Sequence, residues 1–143
     1  MRTGNKDILG HLGDSINNAE VNTILTSSIE FIMDGGGGVI STGVSGDVVV
    51  PFDCTILEVT LLVDQTGSIV VDIWKDTYSN FPPSNADSIT ASAVPTISSS
   101  NKYKDDTLID WTTSITTGDI LRFNVDSCTT IQRCTLILKV RRR

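Results

Sequence analysis

Through most of this chain apolar residues recur at every second position, a period that few folds can use. Leu57, Val59, Leu61 and Val63 alternate with Glu58 and Thr60. Leu121, Phe123 and Val125 alternate with Arg122 and Asn124, and Cys134, Leu136, Leu138 and Val140 with Thr135, Ile137 and Lys139. Neighbouring side chains on a strand point to opposite faces, so each run reads as a strand with one buried face. The residue supply agrees: 16 Ile, 13 Val and 18 Thr make 47 β-branched residues of 143, against 4 Ala and 3 Glu. Such residues suit a pleated sheet and lose side-chain freedom in a helix, which excludes a helical bundle. With 39% hydrophobic residues the chain has enough apolar surface for one core, which excludes general disorder.

Turn chemistry divides the rest. Ile29, Phe31 and Met33 share one face of a first strand, and Asp34-Gly35-Gly36-Gly37-Gly38 follows. No Gly-Lys-Ser/Thr closes that glycine run, so it reads as a turn or bulge rather than a phosphate cradle. A strand is expected over 47–52, with Pro51 marking a sheet edge or the strand's end. Asp64-Gln65-Thr66-Gly67 reads as a turn joining 57–63 to 68–75 in a hairpin. Residues 76–87 form a long loop broken by Pro82-Pro83, 89–97 a strand cut by Pro95, 98–106 a polar stretch and 107–112 a short strand holding Trp111. No amphipathic helix of ten residues separates these strands, which excludes a parallel βαβ fold. The expected fold is all-β: an antiparallel two-sheet sandwich, a jelly roll of about eight strands, preceded by an extended N-terminal arm.

That arm spans 1–28 and the sandwich domain 29–143. Ile8, Leu9, Leu12 and Ile16 have helix-like spacing, weakened by Gly10 and Gly13. These residues, with Ile24 and Leu25, have no evident place in a β core. They are the candidate partner-binding residues, the plainer alternative being a frayed tail.

Little in the chain could carry chemistry. A hydrolytic triad needs a His base, and His11 lies in the arm. The cysteines, Cys54, Cys128 and Cys134, include no Cys-x-x-Cys pair, so neither a zinc site nor a disulfide framework is expected. Asp72 lies in mid-strand opposite the core face, and Asp72, Asp76 and Asp87 flank the long loop without the spacing of a calcium-binding helix-loop-helix. The expectation is no enzyme, no metal and no cofactor. A net charge of −6 argues against direct nucleic-acid binding. No apolar run is long enough to span a bilayer, so no membrane contact is expected. Arg141-Arg142-Arg143 reads either as a solvated tail or as a contact for an acidic partner. Trp74, Tyr78 and Phe81 gather at the long loop. They could stack on sugar rings, pack the loop onto the sandwich or meet another subunit. Ile137, apolar on an outward face, is also a candidate oligomer contact.

One string has a more specific likeness. Gly67-Ser68-Ile69-Val70-Val71-Asp72-Ile73-Trp74-Lys75-Asp76 is preceded by the glycine run and by Val50-Pro51-Phe52. It is followed by Tyr78, Asn80, Pro82-Pro83, Trp111-Thr112-Thr113, Gly118-Asp119 and Phe123-Asn124-Val125-Asp126-Ser127. Over about 31–140 the chain resembles a β-sandwich domain of virion proteins in tailed bacteriophages, including cyanophages. The resemblance implies a structural or adhesive role in the virion. In one form the protein is a capsid cement or decoration protein, a homotrimer on the major capsid protein clamped by its arm. In the other it is a tail-fibre or receptor-binding module, among tail proteins, that recognises host glycans. The resemblance supplies no catalytic residues.

Overall fold

A computed structural model describes residues 17–143. Helix α1 (Asn18–Leu25) precedes strands β1 (Thr26–Asp34), β2 (Gly43–Val49), β3 (Cys54–Asp76), β4 (Thr96–Asp105), β5 (Ser114–Ile115), β6 (Ile120–Thr129) and β7 (Arg133–Arg142). All their pairings are antiparallel.

Strand β3 is the spine. Its first half pairs with β7 over 54–63 and its second half with β6 over 68–76. Strand β4 follows both halves along the other edge, placing 102–105 against 59–62 and 96–100 against 67–70. Outside these lie β1 on β7 and β2 on β6. Leaving aside the two-residue β5 and counting the halves of β3 and β4 separately gives eight segments in chain order. The first layer then reads one, eight, three, six, and the second reads two, seven, four, five. This is the strand order of a jelly roll, made here from one continuous antiparallel sheet curled into two layers.

The hairpin expected at Asp64-Gln65-Thr66-Gly67 does not form. Strand β3 continues through these residues and bends from one layer into the other. The turn-forming groups are spent on the neighbouring corner between β6 and β7. The Asp64 carboxylate accepts from the Gln132 and Arg133 amides at 3.0 and 3.1 Å. Gly67 is needed for close approach, because a Cβ there would lie 2.6 Å from the Thr129 carbonyl oxygen. Three further expectations shift. Leu57 leaves the inward row of β3, because a bulge between Ile56 and Glu58 turns Ile56 into the core in its place. The polar stretch 98–106 lies mostly within β4, an edge strand in both layers that turns only Ile97 and Tyr103 inward. Residues 107–112 form a turn instead of a strand, with Leu108 and Asp110 at φ of 48° and 62°.

The core lies between the layers. Phe31 of β1 stacks on Phe123 of β6 with ring centroids 4.5 Å apart. Gly46 of β2 leaves room for this pair, since a Cβ would come within 2.7 Å of the Phe31 ring. Met33, Leu61, Leu136 and Leu138 close the first layer, and Ile69, Ile73, Leu121 and Val125 the second. The connection from β1 to β2, the β3 bend and the β6–β7 turn share one end of the sandwich. Helix α1, the C-terminus, the β2–β3 corner and the loops 77–95 and 106–119 share the other.

Candidate functional site

Of the six arm residues singled out from sequence, Ile8, Leu9, Leu12 and Ile16 lie outside the described residues. Ile24 and Leu25 fall in the last turn of α1, which an Asn17–Glu20 capping box begins. The Asn17 side chain accepts from the Glu20 amide at 2.9 Å, and Glu20 returns the bond to the Asn17 amide at 3.0 Å. An isolated eight-residue helix is unstable in water, and α1 buries none of its residues. The C-terminal arginines hold it. Arg141 Nε donates to Asn22 Oδ1 at 2.7 Å, and Arg142 Nη2 donates to the Ile24 carbonyl at 3.0 Å while its guanidinium lies 5.9 Å from the Phe52 ring. A cation at a helix C-terminus also meets the negative end of the helix dipole. Arg143 donates to the Cys54 carbonyl and, at 3.0 Å, to Thr55 Oγ1. The arginine run is therefore a clasp within the chain, neither a free tail nor an unused charge. Ile24 remains 55% exposed beside it.

At the same end, the three aromatics separate. Tyr78 and Phe81 line an open cleft of about 210 Å³ with Asp47, Val48, Val49 and Ile120. Tyr78 is 81% exposed and Phe81 46%. Trp74 is not in the cleft: it is half-buried on β3, and its Nε1 donates to Asp72 Oδ2 at 2.9 Å. The cleft wall is set by Arg122, whose guanidinium lies 5.1 Å from the Phe81 ring and binds both Asp47 oxygens at 2.7 and 3.0 Å. That carboxylate raises the Arg122 pKa further. Sequence reading missed Asp47, Val48, Val49 and Ile120 as cleft residues, and Arg122 as the side chain that braces Asp47 and Phe81. The signal for Arg122 was its outward place between Leu121 and Phe123.

Asp72 does not stand free for catalysis. It is buried, and its carboxylate accepts from the Ile73 amide at 2.8 Å, Trp74 Nε1 at 2.9 Å, and Ser88 Oγ and Thr90 Oγ1 both at 2.7 Å. These bonds stitch the end of loop 77–95 onto the outer face of the second layer. Asp76 accepts from the Thr77 amide and Asn80 Nδ2, which hold its pKa below the usual carboxylate range. Asp87 accepts from the amide and hydroxyl of Ser84. The three carboxylates flanking the loop are thus engaged in its own structure. Among the described residues, no group of three or more His, Cys, Asp or Glu side chains could hold a metal. All three cysteines are free thiols, and burial pushes Cys134 up to about 12. No helix among the described residues is long and apolar enough to cross a membrane.

No family model matches the chain, and no curated protein matches it. Among solved structures, it is similar to RmlC from Streptococcus suis in complex with dTDP-D-xylose, at 8% identity and a TM-score of 0.27. That alignment covers 99% of this chain and 55% of that one. It is also similar to a structure of infectious bursal disease virus, Gx strain, at 11% identity and a TM-score of 0.29, covering 82% of this chain and 36% of that one. The chain thus spans about half or less of the length of either chain. Likeness at this level carries no functional argument, and the fold rests on the strand pairing described above.

Proposed function

We propose that this chain is a non-enzymatic structural protein of a virion, a capsid cement or decoration protein that attaches to the major capsid protein through its N-terminal arm. The observation that carries this reading is the state of α1. The helix has no fully buried residue, with only Val21 and Leu25 partly covered, is pinned by the arginine clasp and leaves Ile24 exposed. Among the described residues, the sandwich core is filled without any residue before β1, so it makes no demand on the apolar residues of the arm. Each Ile or Leu buried on a partner contributes roughly 1.5–3 kcal/mol, and many copies on a shell multiply the effect. The test is binding to purified shells with and without residues 1–25, together with copy counting by mass spectrometry on separated heads and tails. Abundant protein on heads, with binding lost on truncation, is expected; full binding by the truncated chain rejects the arm.

A second reading, a tail module that binds host glycans, draws on the Tyr78–Phe81 cleft. An exposed ring of Tyr78 with an apolar floor of Val49 and Ile120 suits the apolar face of a single pyranose. Glycan binding lost in Tyr78→Ala, in a protein found in few copies on tails, would favour it over the shell reading.

A further inference from the structure

The outer face of the first layer carries a charge order that is self-complementary. Its residues stand in cross-strand rows running β1, β7, β3, β4. One row is Ile32, Thr135, Leu62, Lys102, and the next is Glu30, Ile137, Thr60, Lys104. A third is Ser28, Lys139, Glu58. In the first two rows the central strands β7 and β3 are therefore apolar or hydroxyl-bearing, with Leu62 49% exposed, and edge strand β1 adds Ile32, 59% exposed. On this face β1 is acidic at Glu30 and Asp34, and β4 is basic at Lys102 and Lys104. No described segment covers it.

We infer that this face pairs with the same face of a second copy about a two-fold axis parallel to the strands. That axis lays β1 over the partner's β4 and β7 over the partner's β3. Within each row, Glu30 then meets Lys104 of the partner subunit, and Lys139 meets Glu58 of the partner subunit. Leu62 rests on Thr135 of the partner subunit, and Ile137 on Thr60 of the partner subunit. A two-fold axis perpendicular to the strands would instead set the acidic strand on itself, and like charges held together cost several kcal/mol. Face-to-face sheets about 10 Å apart with nearly aligned strands are an ordinary packing mode. The flat area, roughly 500 Å² per copy from strand spacing and rise, falls below the ~800 Å² per partner of a standard interface. The pairing is accordingly weak, with dissociation in the micromolar range or above. The charge order selects a two-fold pair where the cement reading expects a trimer, and it does not depend on the virion reading.

The test is sedimentation of the full chain from micromolar to millimolar concentration, with Glu30→Lys and Lys104→Glu as variants. Each reversal alone places like charges in both symmetric contacts and weakens self-association on the order of a hundredfold. An equimolar mixture of the two variants restores it. In the mixed pair the introduced lysine of one chain meets the introduced glutamate of the other, and the second contact pairs the unaltered Glu30 and Lys104. Lys104 also lies 4.0 Å from Glu58 within its own chain. Loss of that contact cannot produce rescue on mixing, and unchanged unfolding midpoints exclude misfolding. A chain that stays monomeric throughout overturns the inference. So does a trimer, a dimer indifferent to both reversals, or a mixture that fails to rescue. A dimer seen only after deletion of residues 1–16 also overturns it, by making the arm the occupant of this face.

Discussion

The two outer faces of the sandwich start from the same alternation and end differently. In the second layer, outward positions on β3 and β6 include Asp72, Trp74 and Arg122, and loop 77–95 lies over them. In the first layer, Ile32, Leu62, Thr135 and Ile137 face outward with no described segment above them. The contrast inverts the usual rule. The covered face buries a charged group, Asp72, and the bare face leaves Ile32 and Leu62 exposed among its charged neighbours. Polar groups tie down a loop because each bond has direction and a buried donor left unpaired is costly. Aliphatic groups on a bare sheet have no such demand and suit a removable partner. One face is finished by a described segment of the chain, and the other is not.

The largest test of this contrast is Asp72→Ala. It takes the shared acceptor from the Trp74 indole N–H, the Ile73 amide and the Ser88 and Thr90 hydroxyls, which keep only each other at 3.2 Å. At about 1–3 kcal/mol per unpaired buried group, with partial rehydration, the expected loss is about 3–4 kcal/mol. Urea unfolding followed by tryptophan fluorescence measures it. A loss under about 1 kcal/mol would show that the loop is held by apolar packing instead, and the contrast between the faces would collapse.

Arg122→Ala probes the same covered face at its cleft edge. It removes the cation over Phe81 and leaves Asp47 without its two-point partner. The pair is partly solvated, so the expected cost is about 1 kcal/mol. Faster proteolysis within loop 77–95, with the rest of the sandwich resistant, is the accompanying sign. Equal protection in variant and parent would detach Phe81 from any role in fastening the loop.

These residues also mark how far the sequence could be read. Inner faces were legible wherever a strand has one buried side, as in Val59 to Val63 or Cys134 to Val140, because a period of two is a local signal. The β3 bend was not. Asp64-Gln65-Thr66-Gly67 has turn chemistry, and only the distant pairing of β4 along both halves shows that the chain continues. Strand β4 was hidden for the opposite reason: an edge strand needs few apolar residues, and this one turns in only Ile97 and Tyr103. Asp72 was correctly placed away from the core, yet its burial comes from a loop whose path no pattern encodes. The arginine clasp was illegible because its partners are largely backbone carbonyls. The capping box at Asn17 and Glu20 was available in the sequence.

Acid separates the bonds at turns from the apolar faces. Asp64 is lowered by amide bonds from Arg133 and Gln132, and Asp76 by bonds from Thr77 and Asn80. Burial alone would raise Asp105, but bonds from Thr107 and Leu108 outweigh it and leave it lowered. A carboxylate lowered on folding stabilises fully above its unfolded pKa of about 3.9. That contribution disappears as pH falls through the lower folded value. Stability should therefore stay level from neutral pH to about pH 5 and fall below about pH 4. Asp64→Asn and Asp76→Asn should each flatten that fall slightly in urea midpoints measured against pH. An unchanged profile in both would remove these bonds from the acid response.

The smallest expected effect belongs to the bare face and is the most discriminating. Leu62→Ser changes an outward side chain that is 49% exposed and packs under nothing described. In dilute monomer its cost should lie within about 0.5 kcal/mol, against several for Asp72→Ala. A larger cost at low concentration would mean that Leu62 is already covered within its own chain, and the residues of 1–16 would be the nearest candidates. A negligible cost when dilute, with weaker self-association when concentrated, would locate the effect of Leu62 between copies. The same substitution thus asks whether this face is finished by its own chain or by a partner, and concentration decides the answer.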